Sequence, residues 1–254
     1  MKLDSFSAVS LDKALLSKAL SSVENRGRCA IYRVGVELEG GWKKVPQGVQ
    51  LAHDGSVKVE AVDKLGTPVK LALGELPSPV LEVTNLETWM NKYYPSHVND
   101  TCGLHVHMSF RTALTYQRLM VGEFPKTVIA EFQKWALDEK LPNTHPIWPR
   151  LRGESEFCQH VFYASEQAIK VGKDYDRHRR GHRYSVINYC YSKGTMECRL
   201  LPMMDTPEQG IRAVKHLLSI TGAFLVATAK KEPVIAGDFT VAEDAIREVR
   251  RETV

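Results

Sequence analysis

Val34-Gly35-Val36-Glu37-Leu38-Glu39 alternates apolar residues with acidic ones, and the same period of two recurs in residues 103–109 and 194–200. Such alternation predicts three β-strands, each with one apolar face and one polar face. Because alternate side chains of a strand point the same way, the polar faces carry Glu37 with Glu39, His105 with His107, and Glu197 with Arg199. If the strands share a sheet, one of its faces collects carboxylates, imidazoles and a guanidinium.

The residue types on these polar faces differ from those of an ordinary solvent-facing strand. Threonine, lysine, serine and glutamine would be usual there, and none of the three pairs contains a lysine. Carboxylates suit hard divalent cations such as magnesium, imidazole also suits manganese or zinc, and arginine matches phosphate or carboxylate oxygens. The pattern therefore favours a metal and anion site, while a solvated strand face stays the alternative for any single pair.

Five short blocks follow one another along residues 30 to 230. They are Gly35-Val36-Glu37-Leu38-Glu39-Gly40, Asp54-Gly55-Ser56, Gly74-Glu75-Leu76-Pro77-Ser78-Pro79, Cys102-Gly103-Leu104-His105-Val106-His107, and Arg183 to Asn188 followed by Thr195-Met196-Glu197-Cys198-Arg199. In this ordered set the chain resembles the amidoligases, which are carboxylate-amine ligases related to glutamine synthetase and glutamate-cysteine ligase. Each block alone is short enough to occur by chance, so the order carries the resemblance.

The resemblance implies ATP-dependent formation of an amide bond. In such enzymes a carboxylate attacks the terminal phosphate of ATP, which gives an acyl phosphate and ADP, and an amine then displaces the phosphate. The substrates would be a carboxylate-bearing amino acid, peptide or protein tail and an amine. The cofactor would be Mg²⁺, with Mn²⁺ as an alternative, because phosphoryl transfer requires neutralisation of the phosphate charge.

The resemblance also implies roles for individual residues. The metal-binding carboxylates would be Glu37, Glu39, Glu75 and Glu197. One imidazole of His105 and His107 would join them, with His105 slightly favoured. The transferring phosphate would be contacted by Arg183 and Arg199, and the nucleotide by Arg183, Asn188 and Arg199.

Other landmarks have structural explanations that compete with functional ones. Asp54-Gly55-Ser56 is typical of a tight turn between strands. Arg150 and Arg152 are expected in a loop or extended segment, where they either contact nucleotide phosphate or, more simply, lie in solvent. Cys102 is expected to be a structural residue. The basic run of residues 173–183 is either a loop over the phosphates or a solvated loop, and contact with nucleic acid is a weaker alternative because aromatic residues are few there.

Two further functions stay open at this point. A metal-dependent hydrolase could bind zinc through His105, His107 and one carboxylate and activate a water molecule. That enzyme would not need four separate glutamates together with the Glu197 and Arg199 pair. A noncatalytic nucleotide-binding relative could keep the fold with a partial site.

Composition is that of an ordinary globular protein. The chain has 254 residues, 43% hydrophobic and 25% charged, with a net charge of +4, so disordered and fibrous classes are excluded. The odd count of five cysteines and the absence of a secretory pattern at the N-terminus predict a cytoplasmic protein. We expect no membrane span, because the apolar stretch at residues 217–229 is short and interrupted. Nucleic acid is not an expected partner, and the oligomeric state is left open.

The predicted fold class is α+β, with a glutamine-synthetase-like, curved and mostly antiparallel sheet and helices on one face. Residues 1–254 form a single catalytic domain in this prediction, with the family-like core at about residues 30–230. Apolar spacing, prolines and turn residues predict the helices. They are expected at residues 7–23, 85–94, 112–140 with an interruption near Pro125, 157–171, 206–230 and 241–252.

Overall fold

In the described part of the chain, five strands form one antiparallel sheet, and three of them are the predicted alternating stretches. The computed structural model describes residues 7–24, 31–119, 122–160, 184–190 and 193–229. The strands are β1 (Ile31–Trp42), β2 (Ala72–Pro77), β3 (Leu104–Phe110), β4 (Ile187–Cys190) and β5 (Thr195–Cys198). Their order across the sheet is β2-β1-β3-β5-β4, and every neighbouring pair is antiparallel. The three alternating stretches thus occupy β1, β3 and β5, which are adjacent.

Six α-helices accompany the sheet in the described part of the chain. They are α1 (Lys13–Glu24), α2 (Leu86–Tyr93), α3 (Ala113–Leu119), α4 (Glu123–Asp138), α5 (Ile147–Arg152) and α6 (Pro207–Ala227). The helices α1, α2 and α4 all pack against α6. The α+β class predicted from the sequence is therefore confirmed.

The core lies on the apolar face of the sheet. The side chains of Leu104, Val106, Met108 and Phe110 on β3 are all fully buried. Helix α6 lies against this face, where the Thr221 hydroxyl is 3.6 Å from the Met108 sulfur. Each such side chain contributes roughly 1.5–3 kcal/mol when it leaves water. The apolar half of each alternating stretch therefore fixes which face of the sheet turns toward the helices, and the polar half is left on the other face.

Helix boundaries differ from the predictions where side chains cap or break the backbone. Helix α1 begins at Lys13, because the Asp12 carboxylate accepts a hydrogen bond from the Leu15 amide at 2.7 Å. The region 112–140, predicted as one or two helices, consists of the two helices α3 and α4. Pro125 does not interrupt them but lies in the first turn of α4, where its missing N–H costs nothing.

Several predicted elements fall partly or wholly outside the described residues. The start of the expected 157–171 helix is wrong, because residues 157–160 are not helical. Residues 161–171, the basic run up to Arg183 and the expected 241–252 helix are outside the described ranges. Strands β4 and β5 lie next to each other and are antiparallel.

Helix α6 is longer than the apolar stretch that the sequence marks. It runs over 21 residues and is long and apolar enough to cross a membrane by length and composition alone. In the structure most of α6 is buried against the sheet and the other helices. The core helix of a globular protein can have the same length and composition as a membrane span.

Candidate metal centre

Strand register brings the predicted site residues into one cluster on the polar face of the sheet. Glu39 lies opposite Glu75, Glu37 opposite His105, and His107 opposite Glu197. Residues paired in this way have Cβ atoms about 4.5–5.5 Å apart and share a face. Asn188 lies opposite Glu197 on the far side. The cluster therefore runs across all five strands.

This cluster is buried. The exposed fraction is 8% for Glu37, 4% for Glu39, 2% for His105, 7% for His107 and 5% for Glu197. A solvated strand face would leave such side chains open to water, so that alternative is wrong here. Burying several carboxylates is costly unless cations compensate them.

One set of potential ligands, which we call the central group, consists of Glu37, His107 and Glu197. One ligand atom from each of these residues lies within 4.8 Å of the other two. The Nδ1 atom of His107 is 3.0 Å from the Thr195 hydroxyl, which orients the ring. The Nε2 atom then lies 3.0 Å from a Glu37 oxygen. An imidazole oriented through one nitrogen, with the other facing carboxylates, is a common arrangement at metal sites.

A second set, the edge group, consists of Glu39, Asp54 and Glu75, again with ligand atoms within 4.8 Å of one another. Asp54 makes the turn that the sequence predicts, because its Oδ1 accepts hydrogen bonds from the Ser56 amide and hydroxyl. The same residue reaches the cluster because Ala52 pairs with Glu75 on β2. Gly74 permits this approach, since a Cβ there would lie 2.4 Å from the Ala52 carbonyl oxygen. Asp54 is thus a site residue that the turn signal alone did not reveal.

His105 lies between the two groups. Its Nδ1 is 3.4 Å from Glu37 and 3.7 Å from Glu197, and its Nε2 is 3.6 Å from Glu39. Among the described residues, His105 Nδ1 and His107 Nε2 are buried and face carboxylate oxygens without a well-aligned hydrogen bond. Buried imidazole nitrogens that face several carboxylates fit a divalent cation. The geometry favours His107 over His105 as the direct ligand, in contrast to the slight preference from sequence.

Two cations partly compensate the carboxylates. Lys193 Nζ donates a hydrogen bond to Glu37 Oε1 at 2.8 Å, and Arg199 donates to Glu197 Oε1 at 2.6 Å. Burial opposes ionisation of Glu37, but His105, His107 and Lys193 outweigh it and hold the pKa of Glu37 well below its usual range. Burial likewise opposes the charge on Glu197, yet Arg199 and the two imidazoles lower its pKa to about 2. These two carboxylates are ionised at neutral pH and available as ligands.

Arg199 is held by the cluster itself. Its guanidinium pairs with Glu197 and lies over the Tyr184 ring at 5.5 Å. Burial would lower the pKa of Arg199, but Glu197 and Glu39 outweigh it and raise the pKa. Asn188 donates to the other Glu197 oxygen at 3.2 Å. Both predicted nucleotide contacts are therefore partners of Glu197, and the third, Arg183, lies outside the described residues.

Arg150 is placed differently from its prediction. The segment is helix α5 rather than a loop, and the Arg150 side chain is 1% exposed instead of lying in solvent. Its guanidinium donates to the carbonyls of Arg199, Leu201 and Cys102. Burial lowers the pKa of Arg150. Only Arg152, with a half-exposed side chain paired to Glu154, behaves as expected.

A cleft of about 460 Å³ opens beside the central group. Its polar lining includes Glu37, Ser78, His107, Lys193 and Thr195, and its apolar lining includes Pro77, Pro79 and Val80. Gly35 lies opposite His107 and leaves space on the floor of the cleft, where a larger side chain would project. A volume of this size is typical of small-molecule sites.

The chain has no match among protein-family models. A search of curated proteins also found none. The likeness to amidoligases therefore rests on the blocks of sequence described above.

Titration of Glu75 provides a first prediction. Burial, followed by repulsion from Glu37, Glu39 and Asp54, raises the pKa of Glu75 from 4.5 to about 7. A raised pKa means that the folded state binds the proton more tightly than the unfolded state. The protonated Glu75 therefore stabilises the fold below pH 4.5, and this stabilisation is lost as the pH rises through 7. Without divalent cations, Glu75→Gln should remove this loss. Melting temperatures of both proteins in EDTA, measured from pH 4 to pH 8, should diverge in favour of the variant. Parallel curves would contradict the assignment.

A second prediction concerns Gly103, whose amide donates to a Glu39 oxygen. A Cβ at this position would lie 2.5 Å from His105 Nε2 and 3.1 Å from Glu39 Oε2. Because both side chains are buried and cannot retreat freely, Gly103→Ala should cost about 1–3 kcal/mol of unfolding free energy. Urea unfolding measures this cost. Gly55→Ala is the matched control, since a Cβ there meets no atom within 4 Å. Equal stability of the two variants would contradict the proposed packing.

Proposed function

We propose that this protein is an ATP-dependent carboxylate-amine ligase with a glutamine-synthetase-like sheet and a site for two divalent cations. The observation that carries the proposal is the pair of ligand groups, central and edge, side by side on one face of an antiparallel sheet. Two adjacent cation sites of carboxylate and imidazole donors suit enzymes that act on phosphates. The order of the sequence blocks adds the specific reaction class.

The donor set favours magnesium or manganese over zinc at the edge group. Its three ligands are all carboxylates, which suit hard cations. The central group adds one imidazole, which manganese tolerates well. When bound, the cations would neutralise phosphate charge. The role of the chain is to hold them at fixed positions and to keep the surrounding carboxylates ionised.

The negative charge of the cluster supports the proposal that it binds divalent cations. Five carboxylates, those of Glu37, Glu39, Asp54, Glu75 and Glu197, meet here, where Lys193 pairs with Glu37 and Arg199 pairs with Glu197. The excess negative charge is costly in a buried site. It also accounts for the raised pKa of Glu75. Divalent cations would remove both the excess charge and the repulsion.

In the proposed reaction, a substrate carboxylate attacks the γ-phosphorus of ATP and ADP leaves. The amine then attacks the acyl carbon, and inorganic phosphate leaves with one oxygen of the original carboxylate. The cleft beside the central group is the proposed place for the reacting groups, since Glu37 and His107 line it. Arg199 would act by holding Glu197 in position, because the two are directly paired.

The test uses a substrate carboxylate labelled with oxygen-18. A screen of amino acids, polyamines and peptides for amine-dependent ADP release would first identify a substrate pair. The labelled substrate should then give labelled inorganic phosphate and ADP. AMP with pyrophosphate would point to adenylation instead. Amide cleavage without ATP would support the metal-dependent hydrolase, which the histidine in the central group also fits.

A further inference from the structure

Lys193 contacts the carboxylate of Glu37, which is one of the three potential ligands in the central group. Lys193 Nζ lies 2.8 Å from Glu37 Oε1, and His107 Nε2 lies 3.0 Å from the same oxygen. A divalent cation bound between Glu37, His107 and Glu197 would share the Glu37 carboxylate with this ammonium. An ammonium and a divalent cation repel each other strongly at such distances.

Unlike the buried carboxylates and imidazoles of the cluster, the Lys193 side chain has room to move. Its side chain is 56% exposed, whereas that of Glu37 is 10% exposed. It also lines the cleft together with Ser78 and Thr195. The long lysine stem can therefore leave Glu37 without disturbing the sheet.

We infer that Lys193 is an internal counter-cation that a divalent cation displaces from Glu37, and that the displaced ammonium then binds an anionic group of the ligand in the cleft. This role rests on the proposed function, because it needs a cation in the central group. In the metal-free protein the ammonium compensates Glu37. In the metal-bound protein the same charge is available to a phosphate or carboxylate oxygen beside the metal. Lys193 is thus a residue that links metal binding to ligand binding.

The first experiment measures Mn²⁺ affinity by electron paramagnetic resonance, with no other ligand. Lys193→Met should bind Mn²⁺ about tenfold more tightly than the unmodified protein, because the competing charge is gone. Lys134→Met is the matched control, since Lys134 forms a similar ion pair with the buried Glu131 at 2.6 Å on α4. A purely structural role for Lys193 would weaken or preserve Mn²⁺ binding, and either result would overturn the inference.

The second experiment follows the displacement directly in the unmodified protein. Saturation with Mn²⁺ should increase the acylation rate of the Lys193 amine by an amine-reactive ester, measured by mass spectrometry of the peptide, while Lys134 reacts at the same rate. Unchanged reactivity of Lys193 would overturn the displacement. This measurement does not depend on a variant that folds.

The third experiment identifies the anionic group. At saturating Mn²⁺, ATP and glutarate serve as the phosphate and carboxylate probes. Lys193→Met should weaken the binding of one of them about tenfold, which names the group that the ammonium contacts. Unchanged binding of both would overturn the second half of the inference. Absence of Mn²⁺ binding in the unmodified protein would overturn both this inference and the proposed function, whereas a failure confined to Lys193→Met would leave the proposed function standing.

Discussion

Glu37→Gln and Glu75→Gln should each lower Mn²⁺ affinity about 100-fold or more at one of the two cation sites. Loss of a residue that only orients a ligand already costs about 10–100-fold in affinity, so loss of a ligand charge should reach at least the upper end of that range. Glutamine keeps the shape of glutamate and removes the charge. Each variant should therefore bind one Mn²⁺ tightly where the unmodified protein binds two. Calorimetric titration gives both stoichiometry and affinity.

The two variants report on different groups, which makes the result specific. Glu37 belongs to the central group and Glu75 to the edge group. Glu131→Gln is the control, because Glu131 is also a buried carboxylate paired with a lysine but lies on α4. It should leave the Mn²⁺ titration unchanged. A loss of affinity in Glu131→Gln, or none in the other two variants, would rule out the assigned ligands.

Arg150→Ala should destabilise the protein by about 3–5 kcal/mol, the range expected when a large buried side chain is truncated and its charged hydrogen bonds are lost. The guanidinium donates to the carbonyls of Arg199, Leu201 and Cys102. Cys102 lies just before β3, and Arg199 follows β5 directly. The bonds therefore tie together the ends of two strands that carry site residues, and Mn²⁺ binding should weaken as well.

Arg152→Ala is the matched control for this prediction. It removes the same side chain from the same helix, where it is half exposed and paired with Glu154. Exposed ion pairs contribute at most about 1 kcal/mol, so this variant should unfold close to the unmodified protein. Urea unfolding of the three proteins compares the free energies. A cost below about 1 kcal/mol for Arg150→Ala would mean that the buried guanidinium is not a structural tie.

Apolar spacing predicts the position of some helices in this protein but not of others. Helices α2 and α6 lie where they were predicted, because apolar spacing, Pro95 and Thr206 mark their ends locally. The 112–140 region divides before Pro125 rather than at it. The expected helix start at residue 157 is absent, because Gln159 pairs with Ser185 in a bridge between distant segments. Such a contact overrides local spacing and leaves no local signal.

The sequence by itself determined which residues share a strand face, because side chains alternate at a period of two along any strand. Glu37 with Glu39 and His105 with His107 follow from that period without knowledge of the partners. Only the tertiary structure decided that these faces meet and are buried, that Asp54 joins the edge group, and that Lys193 and Arg150 carry charge into the site region. Strand pairing and helix packing bring together residues that are tens to more than a hundred positions apart in the chain. The sequence around a turn aspartate, a turn lysine or a helical arginine therefore does not indicate whether its side chain lies in solvent or beside a carboxylate.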